Sequence, residues 1–297
     1  MPAGREPARK AMQGRQAGLL RNPHRIRLIE IERLAGPRID EERAAFGGRL
    51  RHQSKRCEFL ASHPLQWPCW VPTSTGASSD TLDHVAARDF RTRLAKRAGR
   101  AGLFLPDDLA IRLAAYYDLL FRWNRKINLT ALDDADAAID RLLLEPLIAA
   151  KQFPTPDVAI MDVGSGGGSP AIPMKLAVPA STLSMVEVKA RKAAFLREAV
   201  RTLGLDRTAV ETSRYEELLA RPELHEAFDI LSLRAVRVEV RTLLTLQAFV
   251  KPSGVIFLFR GPSGPDAPEL VPPLRWVSTV PLVETLQSRL TILQKIR

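Results

Sequence analysis

Two carboxylates and a run of glycines in the middle of the chain have the residue types and spacing of a nucleotide-binding turn. Asp162 is followed by Gly164, Gly166 and Gly168, and Glu187 lies within the next apolar run. Glycines let a backbone turn tightly and leave room for a ligand to approach it. A carboxylate at the end of the following strand can accept hydrogen bonds from both hydroxyls of a ribose. The spacing therefore predicts that these five residues bind a nucleoside-containing cofactor.

The negative charge of Asp162 indicates which cofactor that is. A dinucleotide would place its pyrophosphate at the start of the helix after the glycines, where a nearby carboxylate is unfavourable. S-adenosyl-L-methionine instead carries a positive sulfur and an ammonium group, which suit a carboxylate. The pattern apolar-apolar-Asp-apolar-Gly-x-Gly-x-Gly resembles motif I of the class I methyltransferases. We therefore predict S-adenosyl-L-methionine as the cofactor, with an NAD-type oxidoreductase as the rival interpretation.

The elements that must position these residues follow from the alternation of apolar and amphipathic segments. The apolar run that ends at Val163 predicts a strand, and Ser169 with Pro170 predicts the N-cap and first residue of a helix. The last two apolar runs have no helix between them, so they must pair as a hairpin. The pattern predicts an α/β, Rossmann-like fold of the class I methyltransferase type, a seven-stranded, mostly parallel sheet with an antiparallel last strand. Its seven predicted strands are 158–163, 183–188, 208–212, 228–233, 255–259, 276–283 and 289–296.

A small helical segment precedes the sheet. Apolar residues from Leu105 to Trp123 recur at spacings of three and four, which predicts one amphipathic helix, and a second helix is expected over 134–151. The predicted methyltransferase domain is 98–297, with N-terminal helices in 98–153 and the Rossmann-like core in 154–297. We expect the folded part to begin near Leu103.

The first 97 residues differ in composition from the rest. Residues 1–100 contain 20 Lys and Arg against 10 Asp and Glu, a net charge of +10 out of the total of +11. We predict that residues 1–97 form a basic, mostly disordered extension, with one short helix around 25–34. A basic arm that binds RNA is the functional alternative. Two His and two Cys in this extension could ligate zinc: His52, Cys57, His63 and Cys69. Their spacing lacks a CxxC knuckle, so no metal is expected.

Cysteine content and hydropathy indicate the compartment. Two cysteines in 297 residues argue for a reducing compartment without structural disulfides. No apolar run reaches the length of about 18 residues that a membrane span requires. We therefore predict a cytoplasmic protein without membrane attachment.

The carboxyl ends of the strands point to the acceptor chemistry, because ligands of open parallel sheets bind there. Arg234 follows the fourth predicted strand and Arg260 the fifth. Methylation of a pyrimidine carbon needs a nucleophilic cysteine, and neither cysteine lies in the predicted domain. A ring nitrogen such as guanine N7 carries a free lone pair, so its methylation needs positioning rather than a general base. Arg234 is the predicted positioning residue; the alternative is a structural ion pair with Glu216 or Glu239.

A basic turn follows the first predicted helix. It runs from Arg122 to Thr130 and includes Arg125 and Asn128, both candidates for substrate contacts. The alternative interpretation is a helix end with Trp123 in the core and the charges in water. Both interpretations remain open at this point.

Several of these segments together resemble the ribosomal RNA small subunit methyltransferase G family, also called glucose-inhibited division protein B. The match runs from about Leu103 to the end of the chain. The segments that carry it are Trp123-Asn124 with Asn128-Leu129-Thr130, Asp162-Val163-Gly164-Ser165-Gly166-Gly167-Gly168, Pro170-Ala171-Ile172-Pro173, Phe195-Leu196-Arg197, Phe228-Asp229, Arg234-Ala235 and the turn at Gly261.

The resemblance implies a methyltransferase that acts on guanine N7 of 16S ribosomal RNA. Its partner would be the rRNA or the small ribosomal subunit, and the protein would be a monomer. It implies that Gly164 and Ser169 contact S-adenosyl-L-methionine, that Tyr215 and Glu216 frame the adenine, and that Arg234 completes the site. A member that binds RNA or the ribosome without catalysis is the alternative.

The chain departs from the family pattern at three places. Arg141-Leu142-Leu143-Leu144-Glu145-Pro146 stands where the family has Arg-His-x-x-Asp-Ser, Ser169 replaces Phe or Leu, and Arg260-Gly261 replaces Lys-Gly. Arg141 and Arg260 are further candidates for substrate contacts.

Overall fold

A computed structural model describes residues 79–234, 238–263 and 270–296, with side chains from Arg88 onward. The predicted helix at 25–34 and the four residues considered as zinc ligands lie outside the described residues.

Helices lead into the sheet. The first two are α1 (Ser79–Arg100) and α2 (Asp107–Asn124). In α2, Asp107 and Asp108 lie in the first turn, where negative charge favours the helix dipole. Its apolar stripe is buried as the spacing predicts, at Ala110, Leu113, Tyr116, Leu119 and Leu120.

The helix predicted over 134–151 has three parts. They are α3 (Ala135–Ile139), a π-helix (Asp140–Leu144) and α4 (Glu145–Ala150). Asp134 caps the run by accepting a hydrogen bond from the Ala137 N–H at 2.6 Å. The π-helix is a local widening that is frequent at functional sites. It contributes residues to the candidate site described below.

The sheet has seven strands in the order β3-β2-β1-β4-β5-β7-β6. The first five are parallel to one another, and β7 lies antiparallel between β5 and β6. The fold prediction is confirmed, including the terminal hairpin and the antiparallel last strand. The strands are β1 (Ala159–Val163), β2 (Thr182–Val186), β3 (Thr208–Glu211), β4 (Phe228–Arg234), β5 (Val250–Arg260), β6 (Leu274–Pro281) and β7 (Arg289–Lys295).

Helices cover both faces of the sheet, so the side chains of its central strands are buried. One apolar core lies between the sheet and the N-terminal helices, and a second lies on the opposite face. The connecting helices are α5 (Ala171–Ala177), α6 (Ala190–Thr202), α7 (Tyr215–Leu218) and α8 (Val240–Leu246), with 3-10 turns at Pro222–Leu224, Gln247–Phe249 and Glu284–Leu286. Since β1, β2 and β4 are parallel neighbours, their carboxyl ends meet at one edge. None of the helices in the described part of the chain is long and apolar enough to cross a membrane.

The predicted boundary between residues 97 and 98 falls inside α1 and is wrong for the part of the extension that the structure describes. Leu94 and Ala98 are fully buried in the core beneath α1. Arg97 donates from Nε to Asp140 Oδ1 at 2.7 Å and pairs with Asp136 at 2.8 Å. The helix is therefore packed into the domain well before the expected start near Leu103, although most of its remaining residues are polar.

Candidate cofactor and acceptor site

The glycine loop lies directly above the carboxyl end of β1. The N–H groups of Gly164 and Ser165 both donate to the Val186 carbonyl, at 2.9 and 3.1 Å. Gly164 has a φ of +75°, and a Cβ built on it would have no neighbour within 4 Å. The loop therefore leaves open space at Gly164, where a ligand can approach the backbone.

Gly168 has a different role in the same loop. Its φ is +85°, and a Cβ there would lie only 2.5 Å from Ile172 Cδ1, at the start of α5. The space at Gly168 is filled by the protein itself. Gly166 also has a positive φ, of +53°. A Cβ built on Gly166 would have the Gly164 carbonyl oxygen as its nearest neighbour, at 3.7 Å. Gly164 is thus the position best suited to the cofactor, whereas Gly168 serves helix packing.

Asp162 is buried at the end of β1. Its Oδ1 accepts a hydrogen bond from Ser232 Oγ on β4 at 2.5 Å, and Oδ2 has no partner among the described residues. Burial raises the pKa of Asp162, while the hydrogen bond from Ser232 and the charge of Arg234 oppose that rise. A buried oxygen without a partner is costly, so it marks a place where a ligand or water is accommodated.

Glu187 lies at the carboxyl end of β2, where the sequence predicts it, and its carboxylate contacts the glycine loop and the start of α6. Oε2 accepts a hydrogen bond from the Gly166 N–H at 2.9 Å, and Oε1 accepts one from the Lys189 N–H at 2.8 Å. A carboxylate oxygen accepts more than one hydrogen bond, so each can also receive a hydroxyl. The side chain is therefore held in place by two backbone N–H groups, and its predicted contact with a ribose stays a prediction.

Arg234 lies at the end of β4 and is nearly buried. Its guanidinium donates to the Arg141 carbonyl, lies 4.5 Å from the centre of the Phe259 ring, and has its Nη2 3.1 Å from Glu145 Oε2. Burial lowers the pKa of Arg234, and the Glu145 carboxylate opposes that effect. The acidic partner of Arg234 is thus Glu145, and the alternative pairing with Glu216 or Glu239 is wrong.

The amino-acid sequence that forms this site matches a known family. The rRNA small subunit methyltransferase G family matches residues 110–269. The chain belongs to this family. The protein of that name from Stenotrophomonas maltophilia strain K279a is 36% identical over 163 residues, which cover 55% of this chain and 74% of the relative. The one from Chloroflexus aggregans is 35% identical over 143 residues, which cover 48% of this chain and 60% of the relative. Among solved structures, a putative O-methyltransferase from Klebsiella pneumoniae aligns at TM-score 0.45 and 18% identity, covering 61% of this chain and 90% of its own.

Two of the three departures from the pattern of the methyltransferase G family, Ser169 and the segment 141–146, lie together in space. Ser169 Oγ donates to the Leu142 carbonyl in the π-helix at 2.8 Å, and the Arg141 carbonyl accepts from Arg234. Ser169 was predicted to be the N-cap of α5, but Pro170 takes that position without a side-chain hydrogen bond. The hydroxyl of Ser169 therefore ties the glycine loop to the π-helix, and its predicted contact with the cofactor stays a prediction.

Tyr215 and Glu216 begin the short helix α7, beyond the carboxyl end of β3. Tyr215 is half-buried against the second core, and Glu216 is exposed. Burial raises the pKa of Tyr215, and Glu216 adds to the rise. Ser213 Oγ in the same loop is buried without a hydrogen-bond partner among the described residues. The adenine-framing role of this pair stays a prediction.

The candidate substrate residues are not all at one place. Arg125 and Asn128 are exposed in the turn after α2, which reaches the glycine loop, because the Leu129 carbonyl would lie 3.3 Å from a Cβ on Gly167. Asn124 fixes the turn by accepting hydrogen bonds from the N–H groups of residues 129 and 130, at 2.8 and 3.0 Å. Arg260 ends β5 at the same edge of the sheet as Arg234.

Sequence patterns do not identify three residues that the structure places at the candidate site, Tyr116, Glu145 and Ser232. The Tyr116 hydroxyl donates to the Gly167 carbonyl at 2.6 Å, and burial raises the pKa of this tyrosine strongly. Tyr116 was identified only as part of the apolar stripe of α2. Ser232 was seen as part of a strand, although its place opposite Asp162 follows from the parallel register of β1 and β4.

Proposed function

We propose that this chain transfers a methyl group from S-adenosyl-L-methionine to N7 of a guanine in 16S ribosomal RNA. The observation that carries the proposal is the open space at Gly164, in a loop that follows the buried Asp162 and whose Gly166 N–H donates to the Glu187 carboxylate. Membership in the methyltransferase G family supports the same reaction and the same class of substrate.

The residues present fit the cofactor. The Asp162 oxygen without a partner provides negative charge near the loop, which suits an ammonium or sulfonium group. Glu187 would accept the ribose hydroxyls, Gly164 and Gly166 would present the loop backbone, and Tyr215 with Glu216 would border the adenine. When bound, S-adenosyl-L-methionine supplies an electrophilic methyl group on a positively charged sulfur.

The chain needs no proton-transferring side chain for this reaction. Guanine N7 attacks through its own lone pair, so the task of the protein is to hold the base in line with the methyl group. The one histidine after residue 84 is His225, whose Nε2 lies 2.9 Å from the Leu219 carbonyl in a surface loop. This composition agrees with catalysis by positioning.

Arg234 is the proposed positioning residue for the guanine. It stands at the carboxyl end of β4, and its Nε has no hydrogen-bond partner among the described residues. A guanidinium is the side chain that most often donates to guanine O6. Phe259, stacked on Arg234, provides the apolar surface next to it. Arg125, Asn128, Arg141 and Arg260 are proposed to contact the surrounding RNA.

We further propose that the protein acts as a monomer in the cytoplasm, on rRNA or on a small subunit during assembly. The net charge of the chain is +11, which favours binding to a polyanion such as RNA.

Mass spectrometry of nucleosides from 16S rRNA tests the proposal. A strain that lacks this chain should lose one N7-methylguanosine, and expression of the full chain should restore it. The Gly164→Ala variant should not restore the modification. Unchanged nucleosides in the deletion strain would contradict the proposed reaction.

A further inference from the structure

Helix α1 carries more positive charge than its packing uses. Residues 88–100 contain six Arg and Lys side chains and a single carboxylate, Asp89. Arg93 and Arg97 pair with carboxylates of α3 and the π-helix. The other four have no ion-pair partner among the described residues and are exposed or half-exposed: Arg88, Arg91, Lys96 and Arg100.

An aromatic ladder joins α1 to α2. Phe90 lies 4.4 Å from Tyr117, and Tyr117 lies 4.4 Å from Phe121, measured between ring centres. All three rings are half-buried, with one part against the core and the other at the surface. Burial raises the pKa of Tyr117; the charge of Arg93 opposes the rise, and those of Asp134 and Asp136 add to it.

A groove of about 550 Å³ lies beside the ladder, between α1 and the start of α3. Phe90 forms part of its wall, together with Lys96 and Arg100. Two carboxylates also line the groove, Asp89 and Asp136, but Asp136 is paired with Arg93 and Arg97. The groove therefore combines an aromatic wall with cations that have no acidic partner.

The groove is tied to the candidate site through the π-helix. Arg97 of α1 binds Asp140, which also accepts a hydrogen bond from Thr285 at 2.8 Å. The next two residues of the π-helix supply the carbonyls that accept from Arg234 and Ser169. An RNA strand held against α1 would thus be fixed relative to the place where the target base is methylated.

We infer that the surface formed by Phe90, Tyr117, Phe121 and the two unpaired cations of the groove, Lys96 and Arg100, here called the α1–α2 surface, binds a single-stranded stretch of rRNA beside the target guanine. The inference rests on the proposed function. Proteins bind single strands by combining a positive groove, which follows the phosphates, with aromatic rings on which bases stack. Cations that release counterions from phosphates also make such binding strongly dependent on salt.

The charged half of the surface is tested with Lys96→Gln/Arg100→Gln in the full chain. Affinity for in vitro transcribed 16S rRNA is measured by filter binding over a range of salt concentrations. The slope of log affinity against log salt should fall by about 1.4, since each lost single-strand phosphate contact removes about 0.7. The control is Arg207→Gln/Arg275→Gln, which removes the same charge from exposed positions. These two residues lie at the starts of β3 and β6, the two outermost strands of the sheet.

The aromatic half is tested with Tyr117→Leu, which keeps an apolar side chain. The control is Trp276→Leu on the edge strand β6, where Trp276 is 42% exposed. Loss of one stacked base should weaken RNA binding about tenfold in Tyr117→Leu and leave Trp276→Leu unchanged. Thermal unfolding and calorimetry with S-adenosylhomocysteine should match wild type in all four variants, which separates RNA binding from folding.

Equal losses in the test and control variants, or no loss in either, would overturn the α1–α2 surface. Neither result bears on the proposed function, because wild-type methyl transfer is measured independently. Conversely, a wild-type chain that binds 16S rRNA through this surface but methylates no guanine would refute the proposed function and leave the RNA-binding surface standing.

Discussion

Glu145 Oε2 lies 3.1 Å from Arg234 Nη2, and the two side chains are 3% and 9% exposed. The pair joins the start of α4 to the end of β4, directly beside the glycine loop. Glu145 Oε1 and Arg234 Nε have no hydrogen-bond partner among the described residues. A buried ion pair with free polar atoms is a poor stabilising device, because both charges lose their hydration. Its place at the edge of the sheet is better explained by a ligand that uses those atoms.

The first prediction separates the structural and positioning roles of this pair. Arg234→Ala should lower the free energy of unfolding by about 3–5 kcal/mol, because it leaves Glu145 buried and unpaired. It should also reduce single-turnover methyl transfer on the order of 10²-fold. Arg234→Lys should recover little of that rate, since an ammonium cannot reproduce the planar guanidinium.

The matched control is the double variant Glu145→Leu/Arg234→Met. Apolar replacement of both partners should restore stability, as measured by urea unfolding, without restoring methyl transfer. If the folded double variant turned over at the wild-type rate, Arg234 would have only a structural role.

The second prediction concerns the open space at Gly164. Gly164→Ala should abolish binding of S-adenosylhomocysteine in calorimetry while the protein stays folded, because the methyl group occupies the ligand space. Gly204→Ala is a matched control, since Gly204 also has a positive φ, +56°, and no Cβ neighbour within 4 Å. The two variants should lose similar stability, about 1 kcal/mol each, from backbone strain. Equal cofactor affinity in both would remove Gly164 from the site.

Much of this site follows from the sequence, for a local reason. The strand before Asp162, the glycine turn and the placement of Glu187 depend on apolar periodicity and turn chemistry within a short segment. The parallel strands then bring Arg234 to the same edge by topology alone. The terminal hairpin was predictable because no helical segment separates its two apolar runs.

The remainder depends on contacts between distant parts of the chain. Nothing local indicates that Glu145 pairs with Arg234, or that Ser169 donates to the π-helix instead of capping α5. Apolar periodicity does not reveal helix α1, because over residues 88–100 it buries few side chains, chiefly Leu94 and Ala98, among charged ones. Its attachment relies on Arg97 and Asp140, a tertiary ion pair that periodicity does not reveal.

The third prediction follows from that attachment. Deleting residues 1–97 removes Leu94 and Arg97 and leaves Asp140 buried without its cation, which should cost about 3–5 kcal/mol from the charge alone. Deleting residues 1–78 keeps every contact that the structure describes for α1. Thermal unfolding should therefore show a large fall in the melting temperature for the longer deletion only. Equal melting temperatures for the two truncated chains would show that α1 does not stabilise the domain.

The fourth prediction uses the pKa of Asp162, which burial raises above its ordinary value of 3.8. Below that pH the carboxyl is neutral in both states, and its contribution to stability is complete. As the pH rises above 3.8, the unfolded state ionises first, so stability falls until the raised folded pKa is passed. Asp162→Asn lacks this titration.

Urea unfolding of wild type and Asp162→Asn across pH 3 to 8 gives the difference in their free energies of unfolding directly. Wild-type stability should decline relative to the variant as the pH rises through this window. A difference that moved in the opposite direction would mean that Asp162 is stabilised as an anion, by a charge stronger than the penalty of burial.

The most direct test of the central claim is methyl transfer by the purified full chain to unmethylated 16S rRNA or small subunits, with S-adenosyl-L-methionine labelled on its methyl group. Mass spectrometry of the digested RNA identifies the labelled nucleoside. We expect one N7-methylguanosine per rRNA with wild type and none with Gly164→Ala. Label on any other base or atom, or no label from a protein that binds both cofactor and RNA, would contradict the account.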